Sequence, residues 1–127
     1  MTATEPRKIV SLSVIIPAYN EARRIPPYLQ SAIAYLNGRG LSFEILVVDD
    51  GSTDETAALI EQAATQNPCL RLLRLPHNSG KGAAVRAGMQ AAQGEFQLFT
   101  DADGATPIQE LEQLEAAMNN GADLAIG

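Results

Sequence analysis

The sequence of 127 residues contains a single cysteine, a single histidine and no tryptophan. One cysteine (Cys69) excludes an intrachain disulfide and a cysteine-based metal cluster, and one histidine (His77) excludes a zinc site built on two histidines. Aromatic residues make up only 5% of the chain, which argues against a platform on which nucleic-acid bases stack. Any chemistry must therefore come from other groups, and carboxylates and glycines are the groups that the chain has in quantity.

Positive charge is scarce as well, with 9 Lys+Arg against 15 Asp+Glu and a net charge of −6. A chain this acidic lacks the basic face that nucleic acid requires, so no nucleic-acid partner is predicted. No apolar run reaches the ~18–20 residues of a membrane-spanning helix, so no membrane span is predicted in this chain. Arg7 and Lys8 precede an apolar run, but Glu5 and Pro6 do not suit a signal peptide and no small-residue cleavage pattern follows. We therefore expect a cytoplasmic protein, in agreement with the single cysteine.

Short strand-like runs alternate with amphipathic helical patterns along the chain. The strand-like runs are Ile9–Ile16, Phe43–Val48, Leu70–Leu75, Phe96–Phe99 and Asp123–Ile126. The helical patterns centre on Leu29–Leu36, Ile60–Ala64, Val85–Ala92 and Ile108–Met118. This order predicts an α/β fold with a mostly parallel central sheet flanked by helices on both faces. We expect residues 1–8 to be an N-terminal tail and residues 9–127 to be one domain, truncated after its fifth strand.

Local signals predict where the helices begin and end. Ser52 with Glu55 and Thr106 with Gln109 match the capping-box pattern, which predicts helix starts at these two places. Three glycines are expected to follow helix ends, namely Gly38, Gly94 and Gly121. Gly88 falls within a helical pattern, where we expect it to permit close packing of the helix on the sheet. Arg71 and Arg74 are expected at exposed positions of a strand.

A polar segment follows each of the first four predicted strands. These segments are PAYNE at 17–21, DDGSTD at 49–54, HNSGKG at 77–82 and DADGAT at 101–106. The carboxyl ends of parallel strands share one edge of a sheet, and ligands bind in the crevice at that edge. The sequence therefore predicts a binding site built from these four segments.

Five carboxylates are expected to meet at this edge, namely Glu21, Asp49, Asp50, Asp101 and Asp103. Like charges held close together oppose one another's ionisation, so cations should join them. Lys81 and Arg86 are the basic side chains expected nearby, and Mg²⁺ or Mn²⁺ is the natural additional partner for such oxygen ligands. The Asp-Ala-Asp spacing suits two oxygens on one metal, or one oxygen on the metal and one on a sugar hydroxyl.

The SGKG segment at 79–82 offers backbone N–H groups just before a helix, where a phosphate could bind. It is not a Walker A loop, because Gly82 follows Lys81 where Ser or Thr is required. It is not a dinucleotide fingerprint, because Val85 occupies the position of the third glycine. A plain helix start and a phosphate site both remain possible for this segment.

Four segments, in this order and spacing, resemble the family 2 inverting glycosyltransferases: SVIIPAYNEARRI, EILVVDDGSTDET, NSGKGAAVRAGMQAAQGE and FTDADGATP. The resemblance covers residues 9–127, and GKGAAVRAGM followed by TDADGAT is most similar to the dolichyl- and polyprenyl-phosphate glucosyltransferases. It implies a nucleotide-diphospho-sugar transferase domain of the GT-A, Rossmann-like type, of which this chain is the N-terminal donor-binding half. The family's acceptor-binding half and membrane-associating helices come after the matched region. We therefore expect this chain to be inactive alone and the full-length protein to lie at the cytoplasmic face of a membrane.

The resemblance also implies roles for individual residues in the first two motifs. Pro17, Tyr19 and Glu21 would line the nucleotide pocket. Asp50 would accept a hydrogen bond from the uracil ring, and Asp49 would order the loop. The implied donor is thus a UDP-sugar.

The last two motifs would supply the remaining roles. Asp101 and Ala102 would lie against the ribose and diphosphate, and Lys81 would approach the diphosphate. Asp103, with Asp101, would hold Mg²⁺ or Mn²⁺, which makes these two aspartates the catalytic residues. The implied reaction moves a hexose, glucose, from the UDP-sugar to a polyprenyl or dolichyl phosphate with inversion.

Other interpretations remain open. A family 2 transferase could use another donor such as GDP-mannose or a saccharide acceptor, and the chain could be a non-catalytic module that binds a nucleotide-sugar or a metal. A phosphatase of the haloacid dehalogenase type also carries Asp-x-Asp after a strand. That signature belongs to the first strand and requires Thr or Val where Ala105 stands. An EF-hand is excluded because its ligands do not continue beyond Gly104.

Overall fold

The computed structural model describes residues 12–40 and 42–100, which form a four-stranded sheet and three helices. The elements in chain order are β1 (Leu12–Ala18), α1 (Ile25–Gly38), β2 (Phe43–Asp49), α2 (Thr56–Gln66), β3 (Leu70–Arg74), α3 (Lys81–Ala91) and β4 (Phe96–Phe99). All neighbouring strands pair in parallel, in the order β3-β2-β1-β4. The predicted α/β fold with a parallel sheet is confirmed. The predicted helix at 108–118, the predicted strand at 123–126, the 106–109 capping box, Gly121 and the 1–8 tail lie outside the described residues.

The sheet is buried on both faces because helices cover each side. On one face, Val14 and Ile16 of β1 pack with Ile45 of β2 against the buried side chains of α1 and α2. On the other face, Ile15 and Leu46 belong to a second cluster that includes Ala84 of α3. Successive residues of a strand point to opposite faces, so a strand buried on both sides needs a continuous apolar run. This requirement explains the apolar runs Val14–Ile16 and Ile45–Val48 in the two central strands.

Pro17 lies inside β1 without weakening the sheet. The carbonyl of Ala18 accepts the N–H of Asp50 at 2.8 Å, and the carbonyl of Ile15 accepts the N–H of Thr100 at 3.0 Å. The backbone of Pro17 therefore faces the same side as Ile15, beyond the last pair of the β1–β4 register, so the missing N–H removes no bond of that pairing. As a result β1 runs two residues further than its predicted end, to the edge where the polar loops begin.

Two predicted helix boundaries are wrong. Helix α2 begins at Thr56 without a capping side-chain bond from Ser52, whose hydroxyl instead accepts the N–H of Asn20 at 2.8 Å. Helix α1 includes Gly38, and the left-handed backbone at its end falls on Gly40, with a φ of 70°. The contact of Ser52 with Asn20 explains the first difference, and the turn at Gly40 explains the second. The local sequence pattern contains neither feature.

The prediction for Gly88 is confirmed. A Cβ atom at this position would lie 2.5 Å from Cγ2 of Ile15 and 3.1 Å from Cγ2 of Val48. Helix α3 therefore approaches the sheet more closely than any larger side chain would allow. Gly94 follows the end of α3, as predicted, and packing constrains it as well, since a Cβ atom there would lie 2.6 Å from the hydroxyl oxygen of Ser13.

A polar network is buried at the amino edge of the sheet, opposite the polar loops. Glu44 is only 4% exposed, and its Oε2 accepts from the Ser13 hydroxyl at 2.6 Å and from the N–H of Gln93 at 2.7 Å. Its Oε1 pairs with Nη1 of Arg71 at 2.8 Å, and Ser13 Oγ accepts the N–H of Gly94 at 2.8 Å. Arg71 is therefore a half-buried partner of a buried carboxylate, and its expected place at an exposed strand position is wrong.

Within residues 12–40 and 42–100, no helix combines the length and the apolar character that crossing a bilayer requires.

Candidate functional site

The polar loops that follow the first three strands lie together at the carboxyl edge of the sheet. We call them loop 1 (residues 19–24), loop 2 (residues 50–55) and loop 3 (residues 75–80). Loop 2 begins at a backbone bond from Asp50 to Ala18, and loop 3 begins at a bond from the N–H of Leu75 to the carbonyl of Asp49 at 2.9 Å. The predicted convergence of these segments on one edge holds for the described residues.

Loops 1 and 2 are joined by hydrogen bonds between residues far apart in sequence. The N–H of Glu21 donates to the Thr56 hydroxyl oxygen at 2.9 Å, and that hydroxyl donates in turn to Oδ1 of Asp54. The N–H of Thr56 also donates to Asp54 Oδ1, at 2.9 Å. The hydrogen bond from the Thr56 hydroxyl is the main reason that the pKa of Asp54 lies below its ordinary value. Asp54 therefore remains a charged acceptor that terminates this chain of bonds.

Asp50 ties loop 2 to loop 3. Asp50 is only 4% exposed, and its Oδ1 accepts the N–H of Ser79 at 2.7 Å. Its Oδ2 accepts the N–H of Gly80 at 2.9 Å and Nδ2 of Asn78 at 3.2 Å. The carboxylate thus lies at the amino end of α3, where the N–H groups and the helix dipole favour a negative charge. Part of the backbone cradle that the SGKG segment offers is consequently occupied by this side chain.

Asp49, the last residue of β2, is completely buried and has one unsatisfied oxygen. Its Oδ2 accepts the N–H of Ser52 at 3.3 Å and lies 3.7 Å from Nε of Arg74. Its Oδ1 has no hydrogen-bond partner among residues 12–40 and 42–100. The bond to Ser52 accords with the predicted role of Asp49 in ordering loop 2.

The other predicted binding residues of loop 1 and α3 differ in their exposure. Pro17 is half-buried at the end of β1, whereas Tyr19 is 43% exposed at the start of loop 1. Glu21 is partly buried, and its Oε1 lies 3.7 Å from Nη1 of Arg24. Lys81 is an exposed residue that opens α3. A shallow pocket of about 260 Å³ is lined by Asn20, Glu21, Ala22, Arg23, Arg24 and Asp54.

Strand β4 ends at Phe99, at this same edge, and Thr100 follows it. Thr100 is 3% exposed, and its N–H bond to the carbonyl of Ile15 fixes it beside β1. The next three residues, Asp101, Ala102 and Asp103, lie outside the described residues. Their predicted roles in metal binding and catalysis therefore remain predictions.

The described carboxylates of this edge do not form a metal site by themselves. Among residues 12–40 and 42–100, no group of three or more Asp, Glu, His or Cys side chains is arranged to hold an ion. Arg24 and Arg74 lie beside Glu21 and Asp49, a role for which the sequence pattern indicated only Lys81 and Arg86. At Asp50, the backbone N–H groups of Ser79 and Gly80 balance the negative charge instead.

Sequence reasoning assigned no role to Asn20 or Thr56, yet both connect loops of the site. Thr56 lies 35 residues from Glu21, and Asn20 lies 33 residues from Thr53, to which its side chain binds. The available signal was the presence of Asn, a residue that tolerates left-handed backbone, in a loop between a strand and a helix. No spacing rule connects residues so far apart in the sequence.

Comparison with known proteins agrees with this architecture. Residues 13–127 match the family described as Glycosyl transferase family 2. The chain is 45% identical over 119 residues to a dolichyl-phosphate beta-glucosyltransferase of Trichomonas vaginalis, covering 90% of this chain and 35% of that protein. It is 38% identical over 116 residues to the human dolichyl-phosphate beta-glucosyltransferase, covering 86% of this chain and 36% of that protein. The chain thus spans about a third of the length of these curated relatives.

Two solved structures show the same fold. The complex of S. aureus TarS 1-349 with UDP superposes with a TM-score of 0.73 at 32% identity, covering 87% of this chain and 32% of that one. A mannosyltransferase from Pyrobaculum calidifontis, in complex with GDP-Man and Mn²⁺, superposes with a TM-score of 0.67 at 30% identity, covering 98% of this chain and 36% of that one. The fold is therefore that of the GT-A transferases, and the match over residues 13–127 shows that this chain belongs to glycosyl transferase family 2.

Proposed function

We propose that this chain is the donor-binding part of a transferase that moves glucose from UDP-glucose to a dolichyl or polyprenyl phosphate. The observation that carries the proposal is the 45% identity to a dolichyl-phosphate beta-glucosyltransferase over 90% of the chain. The full-length protein would act at the cytoplasmic face of a membrane, and its acceptor would bind outside this chain. The loops at the carboxyl edge of the sheet support the proposal, because ligands of open parallel sheets bind there.

Loops 1 and 2 would hold the nucleoside. Pro17, Tyr19 and Glu21 would line the pocket, and Asp50 would accept a hydrogen bond from the uracil N3–H. A carboxylate oxygen can accept two hydrogen bonds, and Oδ1 of Asp50 accepts one from Ser79. That oxygen therefore retains the capacity for a donor on the base, even though Asp50 also holds loop 3.

The carboxyl end of β4 would supply the catalytic groups. Asp101 and Ala102 would contact the ribose and diphosphate, Asp103 with Asp101 would hold Mg²⁺ or Mn²⁺, and Lys81 would approach the diphosphate. When bound, such a cation neutralises charge that grows on the leaving diphosphate. Two aspartates that follow Thr100 in the sequence fit a hard cation by the chemistry of their oxygens.

The reaction would proceed with inversion. An oxygen of the acceptor phosphate attacks the anomeric carbon of the sugar from the face opposite the nucleotide, and the bond to the diphosphate breaks on the other side. Because a lipid phosphate is already anionic, this attack needs no strong general base. The chain's part is to bind and orient the donor, which holds the anomeric carbon ready for attack.

Binding of nucleotides to purified protein tests the proposal. A thermal-shift panel of UDP-, GDP- and dTDP-sugars, each with and without Mn²⁺, should show a stabilisation by UDP-glucose that depends on Mn²⁺. Asp103→Ala should abolish the metal-dependent part, whereas Glu61→Ala, on the exposed side of α2, should not change it. Wild-type affinity for UDP in the Asp103 variant with Mn²⁺ present would refute the metal assignment.

The same panel separates the alternatives. Preferential stabilisation by GDP-mannose would favour a mannosyltransferase, for which the similarity to the Pyrobaculum structure is the supporting observation. Binding without sugar transfer by the full-length protein would indicate a non-catalytic module. Membership of glycosyl transferase family 2 leaves the phosphatase interpretation without support.

A further inference from the structure

Three successive residues of loop 2 are held by one residue of loop 1, Asn20. Its side-chain Oδ1 accepts the N–H of Thr53 at 2.9 Å and the N–H of Asp54 at 3.3 Å. The Thr53 hydroxyl approaches the same oxygen at 3.4 Å, and the N–H of Asn20 donates to Ser52 Oγ at 2.8 Å. Each loop thus donates hydrogen bonds to the other loop and accepts hydrogen bonds from it.

The backbone of Asn20 is in the left-handed region, with a φ of 52°, and among the described residues it is the only one other than glycine with positive φ. Asparagine adopts this conformation more readily than other residues with a side chain, because its short amide bonds to nearby backbone. Glycine at this position would accept the backbone conformation but would provide no acceptor for loop 2. Alanine would neither favour the left-handed backbone nor provide an acceptor. Comparison of the glycine and alanine variants therefore separates the backbone requirement from the hydrogen-bond requirement.

Asn20 is itself exposed and belongs to neither hydrophobic cluster of the core, so its hydrogen bonds serve the loops. It lies between Tyr19 and Glu21 in loop 1, and the residues it holds begin two positions after Asp50 in loop 2. We propose that Asn20 is a positioning residue that fixes the spacing between loop 1 and loop 2 and thereby shapes the nucleotide pocket. The expected effect on nucleotide binding rests on the proposed function, whereas the link between the two loops rests on the observed hydrogen bonds alone.

Loop 1 has a second connection, from the N–H of Glu21 to the hydroxyl of Thr56, the first residue of α2, which in turn donates to Asp54 of loop 2. Removal of the Asn20 side chain should therefore loosen loop 2 without separating the loops or unfolding the domain. Local opening of loop 2, rather than a large loss of global stability, is the effect that distinguishes this role. Amide hydrogen exchange measures such local opening residue by residue.

The first arm of the test measures exchange at the amides of Thr53 and Asp54 in the complete 127-residue chain. Asn20→Gly and Asn20→Ala should both raise these rates about tenfold, as expected for the loss of one or two hydrogen bonds. Asn20→Asp keeps acceptor oxygens at this place and should retain the protection. Asn37→Ala, at an exposed asparagine of α1, is the matched control and should exchange as the wild type does. Unchanged rates in Asn20→Gly and Asn20→Ala would overturn the inference.

The second arm measures UDP binding by calorimetry with Mn²⁺ present. If the wild type binds UDP, Asn20→Gly should raise the Kd about tenfold at an unchanged fold, and Asn37→Ala should leave it unchanged. Equal affinity of the wild type and Asn20→Gly would overturn the positioning role. A wild-type chain that is folded but does not bind UDP would contradict the proposed function, and the exchange arm would then still decide whether Asn20 sets the spacing of the loops.

Discussion

The hydroxyl groups of Tyr28 and Thr100 are hydrogen-bonded at 3.2 Å, which connects the first turn of α1 to the end of β4. Tyr28 is partly buried against the core on the α1 side of the sheet, and Thr100 is 3% exposed. The backbone of Thr100 is also bonded to Ile15. Thr100 is therefore held through both its backbone and its side chain, and it is the residue that precedes Asp101.

Loss of this hydroxyl pair should weaken the fold slightly and donor binding more clearly. Tyr28→Phe keeps the packing of the ring but removes a partly buried hydrogen bond, so we expect a loss of about 1 kcal/mol in the free energy of unfolding. Since Thr100 anchors the start of the Asp-Ala-Asp segment, Mn²⁺-dependent UDP binding should also fall several-fold. Denaturant unfolding and calorimetry measure the two effects.

A double-mutant cycle with Thr100→Val isolates the pair. The double variant should lose less stability than the sum of the two single losses, because each single change already removes the shared bond. Strictly additive losses would show that the two hydroxyls do not interact in solution.

Replacement of Glu44 should cost far more than its single charge suggests. Donors face both of its oxygens, with Arg71 at Oε1 and the Ser13 hydroxyl and Gln93 N–H at Oε2. Glutamine has one acceptor oxygen, so Glu44→Gln sets its NH₂ group against a donor whichever way the amide is turned. We expect a loss of about 3 kcal/mol, in the range for breaking a buried charged network. Urea unfolding measures it, and Glu61→Gln on exposed α2 should change stability by less than about 0.5 kcal/mol.

The periodicity of the sequence predicted the sheet because burial on both faces leaves an unmistakable pattern. Leu12–Ile16 and Ile45–Val48 are buried almost throughout, and Phe96–Phe99 has the predicted bounds. The grouping of the polar loops also followed from sequence, since parallel strands place their carboxyl ends at one edge. These features depend only on the order and spacing of residue types.

Contacts between residues distant in the chain could not be predicted in this way. Ser52 matches a capping box, but its hydroxyl binds Asn20 from 32 residues away, and this contact prevails over the local pattern. Glu44 is a charged residue within a strand, and only the folded sheet brings Arg71 and Gln93 to it. Such pairings have no period, because they depend on how loops and strands from separate parts of the chain meet.

Asp54 should make stability depend on acid pH. Its pKa is lowered below 3.8, first by the Thr56 hydroxyl, so the folded chain holds the charged form more readily than the unfolded chain. The stabilisation is therefore present above the unfolded pKa of about 3.9 and is lost as pH falls through the lower folded value. Melting temperatures from pH 6 to pH 2 should fall less steeply in Asp54→Asn than in the wild type. Parallel curves for the two proteins would contradict this linkage.

Gly51 should be the least replaceable glycine of the site, because backbone conformation and space both exclude a side chain. Its φ is 73°, and a Cβ atom would lie 2.5 Å from both the Asn78 nitrogen and the His77 carbonyl carbon, which are backbone atoms of loop 3. Such atoms cannot rotate away, so Gly51→Ala should cost about 2–4 kcal/mol from the left-handed backbone and the displaced loop together.

Two other glycines separate these causes. Gly40 has a φ of 70°, and no atom of residues 12–40 and 42–100 lies within 4 Å of a Cβ atom there, so Gly40→Ala reports the backbone strain, at about 1 kcal/mol. At Gly82 of α3 a Cβ atom would meet Arg86 Nη1 at 3.6 Å, an ordinary contact, and Gly82→Ala should stabilise the helix by about 0.5 kcal/mol. Unfolding free energies should therefore fall in the order Gly82→Ala, wild type, Gly40→Ala, Gly51→Ala. A Gly51 variant as stable as the Gly40 variant would show that loop 3 does not pack against loop 2 in solution.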